Sequence, residues 1–454
     1  MKKLQQLMTM VEEATDELVG LHQALVRIPT VNTGAPDSGN EIEVCRLLEA
    51  RFKAEGISSL ILESAPSRGS LLAAIGEQAR PRLLLMSHSD VVPVDERQWT
   101  MPPFGAEIKG GKIYGRGSDD CKSLVSTGTM ALILLKRTGL ALHGELRFLA
   151  AADEEAGGRY GAGWLAANHP DQVCADWAIN EGNGVPFETS EGLAYLLDIG
   201  EKGRMEAQFV LTGRSAHAAS PWLADNALYK LAHVLQGIEA YDPERDVALP
   251  VFQSLPLFGI AEKVTPDNVD RLLASLAHRD PVLARNLTGL SRLSIAPTLA
   301  SAGIKSNIIP ALARLSCDVR TLPHQSESYV RRELERMAGG IEGVQVELDV
   351  TAIANTSPAD TPFVQTLQRA TAVALGREDL CLIPCLTTGF TDSRCVRPLG
   401  TQAYGFSPLL PGSERARAGV HGVDEAMEID NLVFHTKLKV ALAYLTLNAE
   451  GASL

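Results

Sequence analysis

A short apolar run with polar residues at its end constrains this chain more than any other segment. Leu83–Met86 is continuously apolar, which is typical of a strand buried on both faces of a largely parallel sheet. Ser87, His88, Ser89 and Asp90 follow at once. Functional groups gather at the carboxyl ends of strands in open α/β sheets, so Asp90 is predicted to lie behind the His88 imidazole there. The alternative is a histidine that ends a strand and is bonded only locally.

Strands and helices alternate on both sides of this run, which predicts a layered α/β sheet. Strands are predicted at 70–76, 82–88, 145–153 and 175–180, with helices at 4–27, 41–54 and 122–137. The same pattern returns late in the chain with a helix at 362–376, a strand at 401–407 and a closing helix at 430–448. The predicted fold class is α/β, with a mixed, largely parallel sheet flanked by helices.

The middle of the chain has a different order of elements. Strands are predicted at 204–213, 291–300, 312–320 and 344–350, with helices at 226–240 and 327–337. This order, βα then ββ then αβ, predicts a small ferredoxin-like α+β domain inserted in the larger one. Segment 250–290 is rich in Pro, Asp and Leu and is predicted to be a mostly helical elaboration of that domain.

Composition narrows the class of protein. The chain has 454 residues, of which 45% are hydrophobic, enough for two domains. Its 42 basic and 55 acidic residues give a net charge of -13, which argues against nonspecific nucleic-acid binding. No apolar run approaches the roughly 18 residues of a membrane span, and Gln, Glu and Asp interrupt the N-terminal segment, unlike a signal peptide. We therefore expect a cytoplasmic protein whose seven cysteines are reduced thiols.

Acidic residues follow several of the predicted strands. The segment YGRGSDDCKS places Asp119, Asp120 and Lys122 after a glycine turn; a phosphate loop is an alternative, but its Gly-Lys-Ser/Thr ending is missing. The strand FLAAAD leads into the carboxylates 153–155. Adjacent carboxylates at a buried strand end repel each other unless cations neutralise them, although a helix N-terminus is an alternative partner.

Two further segments complete the set of metal-binding side chains. WAIN is followed by Glu181 and Gly182, and GVHGVDE carries His421 beside another glycine turn. Together with His88, these groups offer imidazole and carboxylate ligands without thiolate. This ligand set predicts a pair of zinc-like ions.

The motifs and their order resemble a dinuclear zinc amidohydrolase and exopeptidase family. That family includes aminoacylase, carboxypeptidase S, glutamate carboxypeptidase, acetylornithine deacetylase and succinyl-diaminopimelate desuccinylase. The resemblance covers nearly the whole chain and rests on these segments in order: SHSDVVP, Trp99 with Pro102–Phe104, GRGSDDCKS, DEEAGG, NEG, TGRSAHAASP, SNIIP and GVHGVDE.

The resemblance implies two divalent metal ions per chain, with zinc as the expected metal and cobalt or manganese as alternatives. The implied ligands are His88, Asp120, Glu155, Glu181 and His421. Asp120 would bridge the ions, with His88 and Glu181 on one and Glu155 and His421 on the other. Asp90 would orient His88, and Glu154 would be the general base.

The inserted domain and one late loop are implied to hold the substrate. His217 corresponds to the family histidine that stabilises the oxyanion, usually in the partner subunit's active site, although a surface histidine is the alternative. Asn307 and Arg320 match substrate-holding positions, and Arg320 could equally be a structural ion-pair partner. Segment 387–394 resembles the family loop that contacts the substrate carboxylate, which implies such a contact near Gly389 and Thr391.

The predicted function is metal-dependent hydrolysis of a C–N amide bond in small N-acyl amino acids or short peptides with a free carboxylate. The runner-up is a deacylase of the acetylornithine deacetylase or desuccinylase kind. A noncatalytic metal-bound scaffold is a third possibility of another class. We expect a zinc-exopeptidase-like catalytic domain at 1–201 and 352–454, and an inserted lid and dimerisation domain at 202–351 that forms a homodimer. No nucleic-acid or membrane partner is expected.

Overall fold

The computed structural model of the chain describes residues 2–35, 37–189, 191–413 and 420–448. The strands are β1 (Ser59–Ala65), β2 (Arg68–Gly76), β3 (Arg82–His88), β4 (Glu107–Lys109), β5 (Lys112–Tyr114), β6 (Glu145–Ala151), β7 (Trp177–Asn180), β8 (Pro186–Thr189), β9 (Gly192–Glu201), β10 (Gly203–Thr212), β11 (Ala216–His217), β12 (Ser294–Ala302), β13 (Ile308–Ile309), β14 (Leu312–Thr321), β15 (Val344–Ala352), β16 (Asn355–Thr356), β17 (Leu380–Thr387), β18 (Gln402–Gly405) and β19 (Ala426–Glu428). The α-helices are α1 (Lys2–Glu13), α2 (Thr15–Val26), α3 (Ile42–Ala54), α4 (Lys122–Thr138), α5 (Ala162–Asn168), α6 (Pro170–Val173), α7 (Ala227–Glu239), α8 (Pro250–Gln253), α9 (Val269–Ala277), α10 (Pro281–Leu290), α11 (Glu327–Met337), α12 (Pro362–Leu375), α13 (Ser393–Val396) and α14 (Ile429–Leu447).

The main sheet is mixed and parallel at its centre. Its order is β1-β2-β6-β3-β7-β18-β9, and the pairs β6 with β3, β3 with β7, and β7 with β18 are all parallel. The flanking pairs β1 with β2, β2 with β6, and β18 with β9 are antiparallel. The predicted fold class is confirmed, and the parallel centre brings the carboxyl ends of β3, β6 and β7 to one edge.

Helices cover both faces of this sheet. On β3, Leu84 and Met86 join an apolar cluster with Leu165 of α5. The alternate residues Leu83 and Leu85 are also buried, on the face where α4 contacts the strand. Helix α14 packs against α1, α4 and α12, which explains why almost its whole length is buried. The apolar run is therefore buried on both faces, as predicted.

The predicted extent of the first helix was wrong. The single helix predicted at 4–27 is divided at Ala14, whose amide bonds to carbonyls of both Met10 and Val11. The Thr15 hydroxyl donates to the carbonyl oxygen of Glu12 at 2.7 Å, a side-chain bond that competes with the helical ladder. Strand β1 was not predicted, because its half-exposed sequence SLILESA lacks a clear alternation.

The inserted sheet has the order β12-β14-β10-β15, and every pair is antiparallel. Numbered along the chain, this is the order 2-3-1-4 of a ferredoxin-like domain, as predicted. Helices α7 and α11 pack on it, with Phe209, Val234, Leu315, Val330 and Leu334 in the shared core. Segment 250–290 contains α8, α9 and α10, so the helical elaboration is also confirmed.

The chain forms two compact units. The first contains Met1–Ile199, Ser357–Cys385 and Thr391–Leu454, and the second contains Gly200–Thr356 and Leu386–Phe390. The domain boundaries predicted at 1–201, 202–351 and 352–454 remain a prediction. Limited proteolysis would test whether these ranges form independent domains. Within the described part of the chain, no helix combines the length and apolar character needed to cross a membrane.

Candidate metal centre

His88 ends β3 and is buried beside Asp90. Its Nδ1 lies 3.1 Å from the backbone oxygen of Asp90 and 3.4 Å from the carboxylate Oδ1. The other ring nitrogen, Nε2, lies 3.0 Å from Asp120 Oδ1 and 3.5 Å from Glu181 Oε2. Parallel β3 and β7 bring His88 and Glu181 to the same edge of the sheet. The ring is thus held from behind by Asp90 and turns Nε2 toward two carboxylates.

Asp120 lies between two histidines. Its Oδ1 is 3.0 Å from His88 Nε2, and its Oδ2 is 3.2 Å from His421 Nε2. His421 Nε2 also lies 3.2 Å from Glu155 Oε1. The two Asp120 oxygens therefore face two different groups of side chains, as a bridging carboxylate requires. Gly419, the first residue of the GVHGVDE motif, lies outside the described residues.

The carboxylate of Asp90 fixes the turn that carries Glu154 and Glu155. The Glu154 amide donates to Asp90 Oδ1 and the Glu155 amide to Asp90 Oδ2, both at 3.1 Å. The preceding Asp153 has φ 65°, a left-handed backbone conformation that residues other than glycine adopt uncommonly. Asp90 thus positions the backbone of the two glutamates as well as the His88 ring.

Burial and the clustered charges shift the pKa values of the acidic and basic groups at this site. Burial, opposed by His88 and reinforced by Asp120 and Glu155, raises the pKa of Glu181 to about 7. Burial, reinforced by Glu181, raises the pKa of Glu154 well above its usual value. Hydrogen bonds with Asp120 and Glu155 raise the pKa of His421 to about 10. The carboxylates therefore favour any positive charge placed among them.

The donor atoms fit two divalent cations. Ligand atoms of Asp120, Glu155 and His421 lie within 4.8 Å of one another, and those of His88, Asp120 and Glu181 do so in a second group that also contains Cys121. Imidazole and carboxylate donors with a shared aspartate match the chemistry of zinc and similar ions. The five predicted ligands are thus brought together in two groups joined by Asp120.

A buried ion pair, not predicted from the sequence, joins the Asp120 and His421 loops. Glu425 is fully buried and accepts the amides of Asp119 at 2.8 Å and Asp120 at 3.0 Å. Arg116 pairs with Glu425 and also donates to the carbonyl of His421 at 3.1 Å. The pair therefore holds the loops of Asp120 and His421 together. Both residues lie within recognised motifs, but the sequence does not reveal their pairing.

A second unpredicted pair supports Asp153. Arg68 is fully buried and lies 2.7 Å from Glu41 Oε1 and 2.6 Å from Asp153 Oδ1. The Asn32 amide donates to Asp153 at 3.0 Å and to Asp90 at 2.8 Å. These contacts stabilise the strained residue that precedes the two glutamates.

Asp392 adds a buried carboxylate near the same turn. It is almost fully buried, and neither carboxylate oxygen has a hydrogen-bond partner among the described residues. Burial, opposed by Arg394, raises the pKa of Asp392 to about 7. Arg394 donates to the carbonyl of Gly157 at 2.7 Å, so its side chain is bonded to the turn after Glu155.

The late loop predicted to contact substrate is divided between the two units. Thr391 belongs to the first unit, where its hydroxyl accepts from the Asn180 amide at 3.4 Å, next to Glu181. Gly389 belongs to the second unit, and its amide donates to the Thr387 hydroxyl at 3.3 Å.

The inserted unit contains the remaining predicted residues. His217 is exposed on β11, which pairs with β13, and the Ala218 amide donates to the Asn307 carbonyl at 3.1 Å. His217 and Asn307 are thus neighbours. Arg320 instead forms an ion pair with Asp318 of the same strand, at 2.7 Å. This contact agrees with the alternative that Arg320 is a structural ion-pair partner.

Comparison with known proteins finds similarity across most of the chain. The profile of peptidase family M20/M25/M40 matches residues 84–444. A probable succinyl-diaminopimelate desuccinylase of Staphylococcus aureus is 28% identical over 407 residues, which are 87% of this chain and 90% of that protein. The N-fatty-acyl-amino acid synthase/hydrolase of Mus musculus is 26% identical over 439 residues, 92% of this chain and 86% of that protein.

A solved structure has the same fold. The M20 family metallo-carboxypeptidase of Sulfolobus solfataricus superimposes with a TM-score of 0.70 at 21% sequence identity. The match covers 94% of this chain and 98% of that one. The mixed α/β architecture is therefore shared over nearly the full length of both proteins.

Proposed function

The chain belongs to peptidase family M20/M25/M40 and is a hydrolytic enzyme, and from this premise we propose that it hydrolyses a C–N amide bond in N-acyl amino acids or short peptides with a free carboxylate. The proposal rests on one observation above all. Asp120 presents one oxygen to His88 and the other to His421, so the two groups of ligands share a carboxylate. This is the arrangement expected of a site for two divalent ions.

Two divalent ions held there would acidify a water molecule and polarise the amide carbonyl. Glu154 is suited to receive the proton of that water, because it lies outside both ligand groups while its amide is fixed by Asp90. The same carboxylic acid would then give the proton to the departing nitrogen. Burial raises the pKa of Glu154, which makes its carboxylate a stronger base for the first of these steps.

The names of the two relatives indicate different substrates. The Mus musculus protein is named for N-fatty-acyl-amino acids, which supports a substrate with an acyl group on an amino acid. The Staphylococcus aureus protein is named a probable desuccinylase, which favours the runner-up, a deacylase of the desuccinylase kind. In the substrates of both names, the acid part or the amine part of the amide carries a carboxylate.

A substrate panel tests the proposal. Zinc-loaded protein would be incubated with N-acetyl, N-succinyl and long-chain N-acyl amino acids and with dipeptides, each beside its C-terminal amide as a matched control. We expect turnover of free-carboxylate substrates and weak turnover of the amides. Selective hydrolysis of N-succinyl diamino acids would favour the runner-up. No hydrolysis by metal-loaded protein would contradict the proposal and favour a noncatalytic scaffold.

We also propose a homodimer formed through the inserted unit. Strand β12 is an edge strand, exposed over nearly its whole length, and Leu299 on it is 69% exposed. Helix α7 lies beside β12 and carries Tyr229, which is 70% exposed. An exposed edge with apolar neighbours is suited to pairing with the same edge of a second chain.

His217 is proposed to serve the partner's active site. The Ala219 amide donates to His217 Nδ1 at 3.1 Å, so the neutral ring carries its proton on Nε2, where it can donate to an oxyanion. A mixed dimer of one His217→Ala chain and one Glu154→Ala chain would then have one complete site. Coexpression of these two inactive variants should restore activity. No recovery in mixed dimers shown to have formed would exclude action in trans, and a monomer in solution would remove its premise.

The expected cytoplasmic location is also retained as a proposal. None of the seven cysteines, all of which lie in the described ranges, forms a disulfide, and four of them are buried. Cysteines that form no disulfide in a chain of this length agree with a reducing compartment. Fractionation of the producing cells would test this location directly.

A further inference from the structure

Cys121 lies inside the group of ligands around His88. The residue is 1% exposed, and its sulfur lies within 4.8 Å of ligand atoms of His88, Asp120 and Glu181. We propose that Cys121 supplies a sulfur ligand to the ion held by these three side chains. The inference rests on the proposed two-ion centre and departs from the expectation, drawn from the sequence, of ligands without thiolate.

The size of the group supports this assignment. Zinc binds sulfur at about 2.3 Å and nitrogen or oxygen at about 2.0–2.2 Å, so two ligands of one tetrahedral ion lie about 3.3–3.7 Å apart. The four donor atoms around His88 already lie within 4.8 Å of one another. A small closure of the side chains around an ion would therefore suffice to bring the sulfur into its coordination sphere.

The surroundings of Cys121 differ from those of an ordinary buried thiol. Cys317 lies in the apolar core of the inserted unit, where a cysteine acts as a small hydrophobic side chain. Cys121 instead has His88, Asp120 and Glu181 as neighbours, and no other cysteine of the described ranges falls within a group of potential ligands. A thiol among buried imidazole and carboxylate groups is placed for metal binding rather than for apolar packing.

Sulfur would make the two ions unequal. On binding, the Cys121 thiol loses its proton to solvent and the resulting thiolate donates to the cation. Thiolate favours zinc, cadmium and cobalt, whereas carboxylate and water suit manganese and magnesium. The group of Asp120, Glu155 and His421 contains no sulfur. We therefore expect a tight zinc site at His88 and a more exchangeable site at His421.

X-ray absorption spectroscopy on the zinc-loaded full chain tests the proposal. With two zinc ions bound, the spectrum should contain sulfur at about 2.3 Å, averaging about one-half sulfur per zinc, besides nitrogen and oxygen at about 2.0–2.2 Å. The cobalt form should show a thiolate charge-transfer band in the near ultraviolet. Both signals should vanish in Cys121→Ser and persist in Cys45→Ala, whose equally buried thiol lies outside both ligand groups.

Two results would overturn the inference, and they are distinguishable. Two bound zinc ions without a sulfur signal would refute the Cys121 ligand and leave the proposed two-ion centre intact. A chain that binds no ion would refute both. The wild-type spectrum decides the matter by itself, so the test does not depend on whether Cys121→Ser folds.

Discussion

The neighbouring residues Glu154 and Glu155 should respond differently to the same substitution. Both lie in the turn Glu154–Ala156, and their amides bond to the carboxylate of Asp90. These are backbone bonds, so Glu154→Gln or Glu155→Gln should leave the turn in place. Only the Glu155 side chain contacts His421, at 3.2 Å, within a ligand group.

The expected magnitudes follow from these positions. Glu154→Gln keeps all five ligands and removes a proton acceptor, so kcat should fall by roughly 10²–10⁴. This corresponds to about 2.7–5.4 kcal/mol in the activation free energy, at about 1.36 kcal/mol for each factor of ten. Glu155→Gln weakens the group around His421 and should lower the metal content from about two ions per chain toward one.

The assay combines elemental analysis of the purified variants with kcat on the best substrate of the panel. Glu13→Gln, at an exposed position of α1, is the control for removal of one surface charge and should match the wild-type protein. Loss of metal in Glu154→Gln, together with retention of both ions in Glu155→Gln, would contradict these roles. That outcome would mean that the roles are assigned one residue out of register.

Two further predictions concern stability. Burial lowers the pKa of His22 to about 3, below its unfolded value of about 6.5, so its stabilising contribution is present above pH 6.5 and lost as the pH falls toward 3. Between pH 3 and 6.5 the unfolding free energy of the wild-type protein, measured by urea titration, should therefore rise with pH more steeply than that of His22→Gln. The difference should reach up to about 1.4 kcal/mol per pH unit, and the same pH dependence in both proteins would contradict this prediction. Arg68→Met leaves Glu41 and Asp153 buried without their cation and should lower the unfolding free energy by about 3–5 kcal/mol. Arg46→Met, which removes an exposed pair, should change it by less than about 1 kcal/mol, and a similarly small loss in Arg68→Met would show that the buried pairs do not stabilise the turn.

Much of the candidate centre could be predicted because its residues follow recognisable strands. Leu83–Met86 has a continuous apolar pattern that is typical of a doubly buried strand, and it leads directly to His88. Glu181 follows a neighbouring parallel strand, and such strands end at the same edge of the sheet. The shared position of His88 and Glu181 therefore follows from strand order.

Contacts between distant parts of the chain could not be predicted in this way. Arg116 and Glu425 are 309 positions apart, and nothing in either motif indicates that they form a buried pair. The break in the first helix depends on a local hydroxyl bond from Thr15, which apolar periodicity does not register. The proximity of the Cys121 sulfur to ligand atoms of His88, Asp120 and Glu181 depends on side-chain direction, which the sequence does not reveal.

Metal removal and reloading test the central claim most directly. Protein freed rigorously of metal should hydrolyse none of the panel substrates, because the carboxylates of Asp120, Glu155 and Glu181 act only through bound cations. Titration with zinc, cobalt or manganese should restore turnover as about two ions per chain are bound. Full turnover by the metal-free protein would contradict the account.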